Sequence, residues 1–101
     1  MTSPTKSLTC KLTTPELQHR KATVIAELKS LITSRQELHN GYEYTFNSTD
    51  QNFDKLIEFI KTERLCCDFF RFQLVVEGDS AVLTIIGPEG AKEFLENEVG
   101  L

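Results

Sequence analysis

Leu8, Cys10 and Leu12 alternate with Thr9 and Lys11, the period-two pattern of a short half-buried strand in which Cys10 shares an inward face with two leucines. Residues 1–6 are polar, include Pro4 and predict a disordered start, leaving 7–101 as the folded unit. The period then changes. Leu17, Val24, Ile25, Leu28, Leu31 and Ile32 recur at helical spacing, so a helix is expected to run to about Thr33. Either Thr13 or Thr14 can cap it, Pro15 fits its first turn, and Glu16 completes a capping box with Thr13. Arg20 and Lys21 interrupt the stripe near its start, where long basic side chains can lay their stems on a core and keep their heads wet.

His39-Asn40-Gly41 is a turn signal, because Asn and Gly tolerate positive φ. Tyr42, Tyr44 and Phe46 follow in alternation with Glu43 and Thr45, a strand with one aromatic face. Asn47-Ser48-Thr49-Asp50 is rich in capping groups and opens a second helix with Phe53, Leu56, Ile57 and Ile60 on its inner stripe. That helix runs into Glu63-Arg64-Leu65-Cys66-Cys67-Asp68, and the stripe continued by seven from Ile60 reaches Cys67. Phe69–Val76 and Ser80–Ile86 read as strands joined by a tight turn at Glu77-Gly78-Asp79. Gly87-Pro88-Glu89-Gly90 then leads into a short last helix anchored by Phe94 and Leu95. The predicted order is β-α-β-α-β-β-α. It describes an α+β, two-layer sandwich, with helices on one face of a four-stranded, mostly antiparallel sheet, in a single domain of 101 residues.

A net charge of −4 argues against sequence-independent binding of nucleic acid, which rests on Lys and Arg neutralising phosphates. No run approaches the roughly 18 apolar residues that span a bilayer, and the start lacks the apolar segment of a secretory signal. Three cysteines is an odd number, and the adjacent pair is badly placed to close a relaxed disulfide. A cytoplasmic protein with free thiols is the natural expectation.

Those thiols carry the candidate chemistry. Thiolates are strong ligands for soft ions such as Hg(II), As(III), Cu(I) or Zn(II). Cys66 and Cys67 can offer two sulfurs to one ion, and Cys10 would approach from the first strand. Three sulfurs suit a trigonal ion better than structural zinc, which takes four ligands. Glu63, His19 or His39 could supply a fourth. Against this, free cysteine is among the most buried residue types and behaves as a small hydrophobe. Catalytic thiols need a depressed pKa, whereas this pair ends a helix, where the dipole disfavours thiolate, beside Glu63 and Asp68. Arg64 is read on the inner stripe, where it should find a carboxylate partner or lie near an edge.

The stretch Glu63-Arg64-Leu65-Cys66-Cys67-Asp68-Phe69, with Gly87-Pro88-Glu89-Gly90-Ala91-Lys92-Glu93-Phe94, resembles a family of small uncharacterised bacterial proteins. Their shared pattern is Glu-Arg-x-Cys-Cys-x-Phe followed by Gly-Pro-x-Gly-x-Lys-Glu-Phe. Cys10-Lys11-Leu12-Thr13, Glu16-Leu17 with Arg20, and Gly41-Tyr42 with Phe46 are also similar to the first half of that family, so the resemblance covers about residues 8 to 95. Asp68 stands where such proteins often carry Pro. The resemblance implies no activity, but it groups Cys10, Glu63, Arg64, Cys66 and Cys67. The leading expectation is therefore a soft metal or metalloid ion bound by Cys10, Cys66 and Cys67, with Glu63 and Arg64 around it, for sequestration, transfer or sensing. The alternative is a structural or interaction module, a homodimer, whose thiols fill the core. A thiol-dependent redox enzyme comes third.

Overall fold

Thr14 accepts a hydrogen bond from the Leu17 amide at 3.3 Å, and with Pro15 in the first turn it starts helix α1 (Pro15–Leu31). The structure is a computed structural model that describes residues 14–101. The expected strand at 8–12 lies outside them. Helix α1 stops two residues before Thr33, because the chain turns extended at Ile32 and Thr33 donates its amide to the Thr45 carbonyl at 2.8 Å.

That bond begins a strand the hydrophobic pattern did not announce, β1 (Ser34–Leu38), which turns at His39-Asn40 into β2 (Gly41–Asn47). The fourth strand of the sheet is thus 34–38 among the described residues. Their element order, α-β-β-α-β-β-α, differs from the expected one in its first half. Strand β1 escapes the period-two test because its inward positions are Arg35 and Glu37, opposite Tyr44 and Tyr42. Both charges are satisfied at the sheet edge: Lys92 pairs with Glu37, and the Arg35 guanidinium lies 4.2 Å from the centre of the Tyr42 ring.

Thr49 caps helix α2 (Asp50–Cys66) by accepting from the Asn52 amide at 3.1 Å. Strands β3 (Arg71–Glu77) and β4 (Ser80–Ile86) follow as a hairpin around Gly78-Asp79, then helix α3 (Ala91–Phe94) and a wider π-helical turn, Leu95–Val99. The sheet order is β1-β2-β4-β3, every neighbouring pair antiparallel. Its helix-facing side carries Tyr44, Phe46, Leu83 and Ile85, buried against Val24, Leu28, Leu56 and Phe59. Its other side carries a polar row, Gln36, Glu43, Thr84 and Gln73, in register across the four strands. At Gly41 a side chain has no room, because a Cβ there would fall 1.9 Å from the Ile85 carbonyl oxygen.

Helices α1 and α2 run antiparallel. Lys21 meets Glu63 and Glu27 meets Lys55, so the start of α1 lies beside the end of α2. Among the described residues no helix is long and apolar enough to cross a membrane.

Candidate functional site

The inner line of α2 reads Leu56, Phe59, Glu63, Cys67 at spacings of three and four, so two apolar side chains are followed by a carboxylate and a thiol on the same buried side. Glu63 is 1% exposed and Cys67 is fully buried. The helix ends at this point. The Cys67 amide donates to the Glu63 carbonyl, and the chain turns away towards β3.

The Cys67 thiol donates to Glu63 Oε1 at 3.8 Å, a distance suited to sulfur. Lys21, from α1, brings its ammonium to 3.5 Å from Glu63 Oε2, close enough for an ion pair but at the outer limit of a hydrogen bond. Oε2 is fully buried and takes no hydrogen bond from elsewhere among the described residues. Lys21 is itself only 12% exposed at its side chain, so the pair is nearly dry. Phe69 and Ala91 close over the thiol, backed by the rings of Phe70 and Phe94. Phe69 and Phe94 meet edge to face at 5.1 Å.

This packing sets the electrostatics. Burial pushes the Glu63 carboxyl above its ordinary value, and Lys21 pulls it partly back. Burial, and next the negative charge of Glu63, push the Cys67 thiol up to about 12, with Lys21 opposing. At neutral pH Cys67 is therefore a protonated thiol shielded from solvent. Redox and nucleophilic enzymes use the opposite arrangement, an accessible thiol with a depressed pKa.

The expected site residues divide. Glu63 and Cys67 come together, although the spacing reaches Cys67 from Ile60 and carries the neighbouring line Phe59–Glu63 on to Cys66. Cys66 is the last residue of α2, directly before Cys67; its side chain lies outside what the structure describes, as does all of Cys10. Arg64 is corrected: it is exposed, not on the inner stripe. It lies one residue, about 100° of helix, past Glu63, which takes the buried position instead. His19 and His39 are both exposed. Among the described residues no group of three or more His, Cys, Asp and Glu side chains is gathered closely enough to hold a metal ion.

Lys21 is the residue the sequence reading did not assign to this site. The signal was present, since Lys21 follows Leu17 by four and precedes Leu28 by seven, on the inner line of α1. A cation on one inner stripe and a carboxylate on another invite pairing. No family model, curated protein or solved structure matches the chain.

Proposed function

We propose that the chain binds a soft metal or metalloid ion at the end of α2, with Cys67, Cys66 and Cys10 as thiolate ligands, for sequestration, transfer or sensing in a reducing cytoplasm. The observation that carries this reading is the Lys21–Glu63 ion pair beside Cys67. It fixes α1 antiparallel to α2, so the chain enters α1 at the end of the molecule where the cysteine pair lies. Cys10 precedes the Thr14 cap by four residues, a reach of about 14 Å if extended. Three sulfurs drawn from that short entry and the helix end are compatible with one trigonal ion.

The residues on hand supply the rest. A soft ion would form its bond to sulfur as the S–H bond breaks, the proton passing to the carboxylate that already accepts it, Glu63 Oε1. Because the Cys67 thiol is protonated at neutral pH, uptake releases a proton from it. Lys21 holds Glu63 in place for this transfer. Phe69 and Ala91 keep water and small thiols away from the sulfur. Hg(II) and As(III) fit a three-thiolate set better than Zn(II), which would need a fourth ligand.

A second reading, a structural or interaction module, is favoured by the complete burial of Cys67, which by itself is what a small core residue shows. One experiment separates the two. Fully reduced protein is titrated with Hg(II), As(III), Cu(I) and Zn(II) in excess glutathione and weighed by native mass spectrometry, alongside Cys10→Ser and Cys67→Ser. One ion per chain, held against glutathione and lost in both variants, is the expected result. No retained ion removes the metal reading, and retention in Cys10→Ser removes the third ligand.

A further inference from the structure

Strand β3 is an edge strand, with β4 on one side and no strand beyond it among the described residues. Bare edges are templates for pairing, and proteins blunt them with charge, proline or a bulge. The opposite edge of this sheet is blunted in that way, since β1 carries Arg35 and Glu37. In β3 the five residues from Phe72 to Val76 are Phe, Gln, Leu, Val and Val, without a charge or a proline.

The register sharpens this. A two-residue turn closes on a hydrogen-bonded pair, here Glu77 and Ser80. Alternation along an antiparallel ladder then turns the N–H and C=O of Phe72, Leu74 and Val76 away from β4, towards the bare edge. The side chains there are under-covered as well. Val76 stands opposite buried Ala81 on the helix-facing side yet is 53% exposed, and Val75 is 47% exposed.

We propose that β3 is the pairing edge for a second copy of this chain, joined antiparallel about a two-fold axis at Leu74. The edge is complementary to itself in that register. Leu74 pairs with Leu74 of the second copy and Phe72 with its Val76, so the groups pointing off the edge are the ones that bond. Phe72 of each copy covers the exposed Val76 of the other. At both ends Arg71 faces Glu77, on the same side of the sheet, and neither residue is in an ion pair among the described residues. The result is one continuous sheet with both helical layers on the same face, an isologous interface. Nothing in it depends on the thiols.

The test uses the full chain. Sedimentation velocity from low to high micromolar protein is expected to show a monomer–dimer equilibrium. The amides of Phe72, Leu74 and Val76 should exchange more slowly as concentration rises. Arg71→Glu and Glu77→Arg each set like charges opposite one another twice and should weaken the dimer about tenfold, and the double exchange should restore it. A monomer at every concentration overturns the proposal. So does a dimer indifferent to both reversals, which would use another surface. Edge amides equally protected at all concentrations overturn it too, because the edge would then be occupied from within the chain.

Discussion

Lys21→Met is expected to destabilise the protein by an amount that depends steeply on pH. The substitution keeps the aliphatic stem and removes the ammonium that faces Glu63 Oε2 at 3.5 Å. The carboxylate, 1% exposed, is then left in the core without its cation. Its escape is to take a proton, and that sets the ceiling on the loss. Protonating a carboxyl of ordinary pKa 4.5 at pH 7 spans two and a half pH units, at about 1.4 kcal/mol each, so the loss cannot exceed about 3.5 kcal/mol. The sign follows from linkage. The variant raises the folded-state pKa of Glu63 further above its unfolded value, so stability is retained below the unfolded pKa and lost as pH rises. Because burial already raises Glu63 in the parent, the deficit at pH 7 should stay below that ceiling, and it should shrink to under about 1 kcal/mol at pH 5. Urea unfolding of reduced, metal-free protein, followed by far-ultraviolet circular dichroism at pH 5, 6 and 7, measures it. Lys21→Met/Glu63→Gln should recover most of the loss at pH 7, because the amide still accepts from Cys67 and carries no charge. A deficit equal at all three pH values would refute the reasoning, as would one below about 0.5 kcal/mol at pH 7, since Glu63 would then have reached water.

The Cys67 thiol, pushed up to about 12 by burial, should react with a small thiol reagent at pH 8 only at the rate of local or global opening, and that rate should rise with urea. For the same reason the contribution of this group to stability should be level below pH 9 and fall by about 1.4 kcal/mol per unit between pH 9 and about 12, where the unfolded chain gives up the proton and the folded one keeps it. A profile that falls less steeply above pH 9 in Cys67→Ala than in the parent would assign the difference to the thiol, while equal slopes would refute the assignment. The comparison is between slopes because Tyr42 and Tyr44 are also raised and add their own slope above pH 10 to both proteins. Tyr44→Phe should leave stability unchanged or raise it by up to about 1 kcal/mol, because the buried Tyr44 hydroxyl has no hydrogen-bond partner among the described residues. A loss above about 1 kcal/mol in thermal or urea unfolding would mean that the hydroxyl does have a partner, most simply an ordered water.

Elements whose signals are local could be read from the chain alone. Thr14-Pro15-Glu16 starts α1 and Asn47 to Asp50 leads into α2, because capping needs only residues two or three positions apart. Gly78-Asp79 closes the β3–β4 hairpin with Gly78 at φ 58°, and β4 spans Ser80 to Ile86, the bounds expected from the turn before it. Strand β1 was illegible for a nonlocal reason. Its helix-facing Arg35 and Glu37 stay exposed at the sheet edge, Glu37 meeting Lys92 from 55 residues away, and no hydrophobic pattern within Ser34–Leu38 marks a strand there. Phe69 and Phe70, expected in a strand, instead pack with Phe94 from the far end of the chain, so β3 begins only at Arg71.

The site was half legible for a related reason. Periodicity put Cys67 on the buried side of α2, but it could not choose between the neighbouring lines Phe59–Glu63 and Ile60–Arg64. Both satisfy helical spacing, and the choice is made by what lies opposite. Ile60 stays only half-buried, while Glu63 is buried and faces a cation on α1. The antiparallel sense of the two helices decided which charge went inward, and that sense is a tertiary fact. Pro15 to Arg20, the first turns of α1, are exposed, so apolar burial does little to hold that end of the helix down. The nearly dry Lys21–Glu63 pair is the deepest polar attachment of that end to α2, in a position where two apolar residues of the same volume would serve stability as well or better. A buried ion pair that contributes little net stability is best understood through what it specifies. Here it holds the start of α1 against the end of α2, where Glu63 and Cys67 lie.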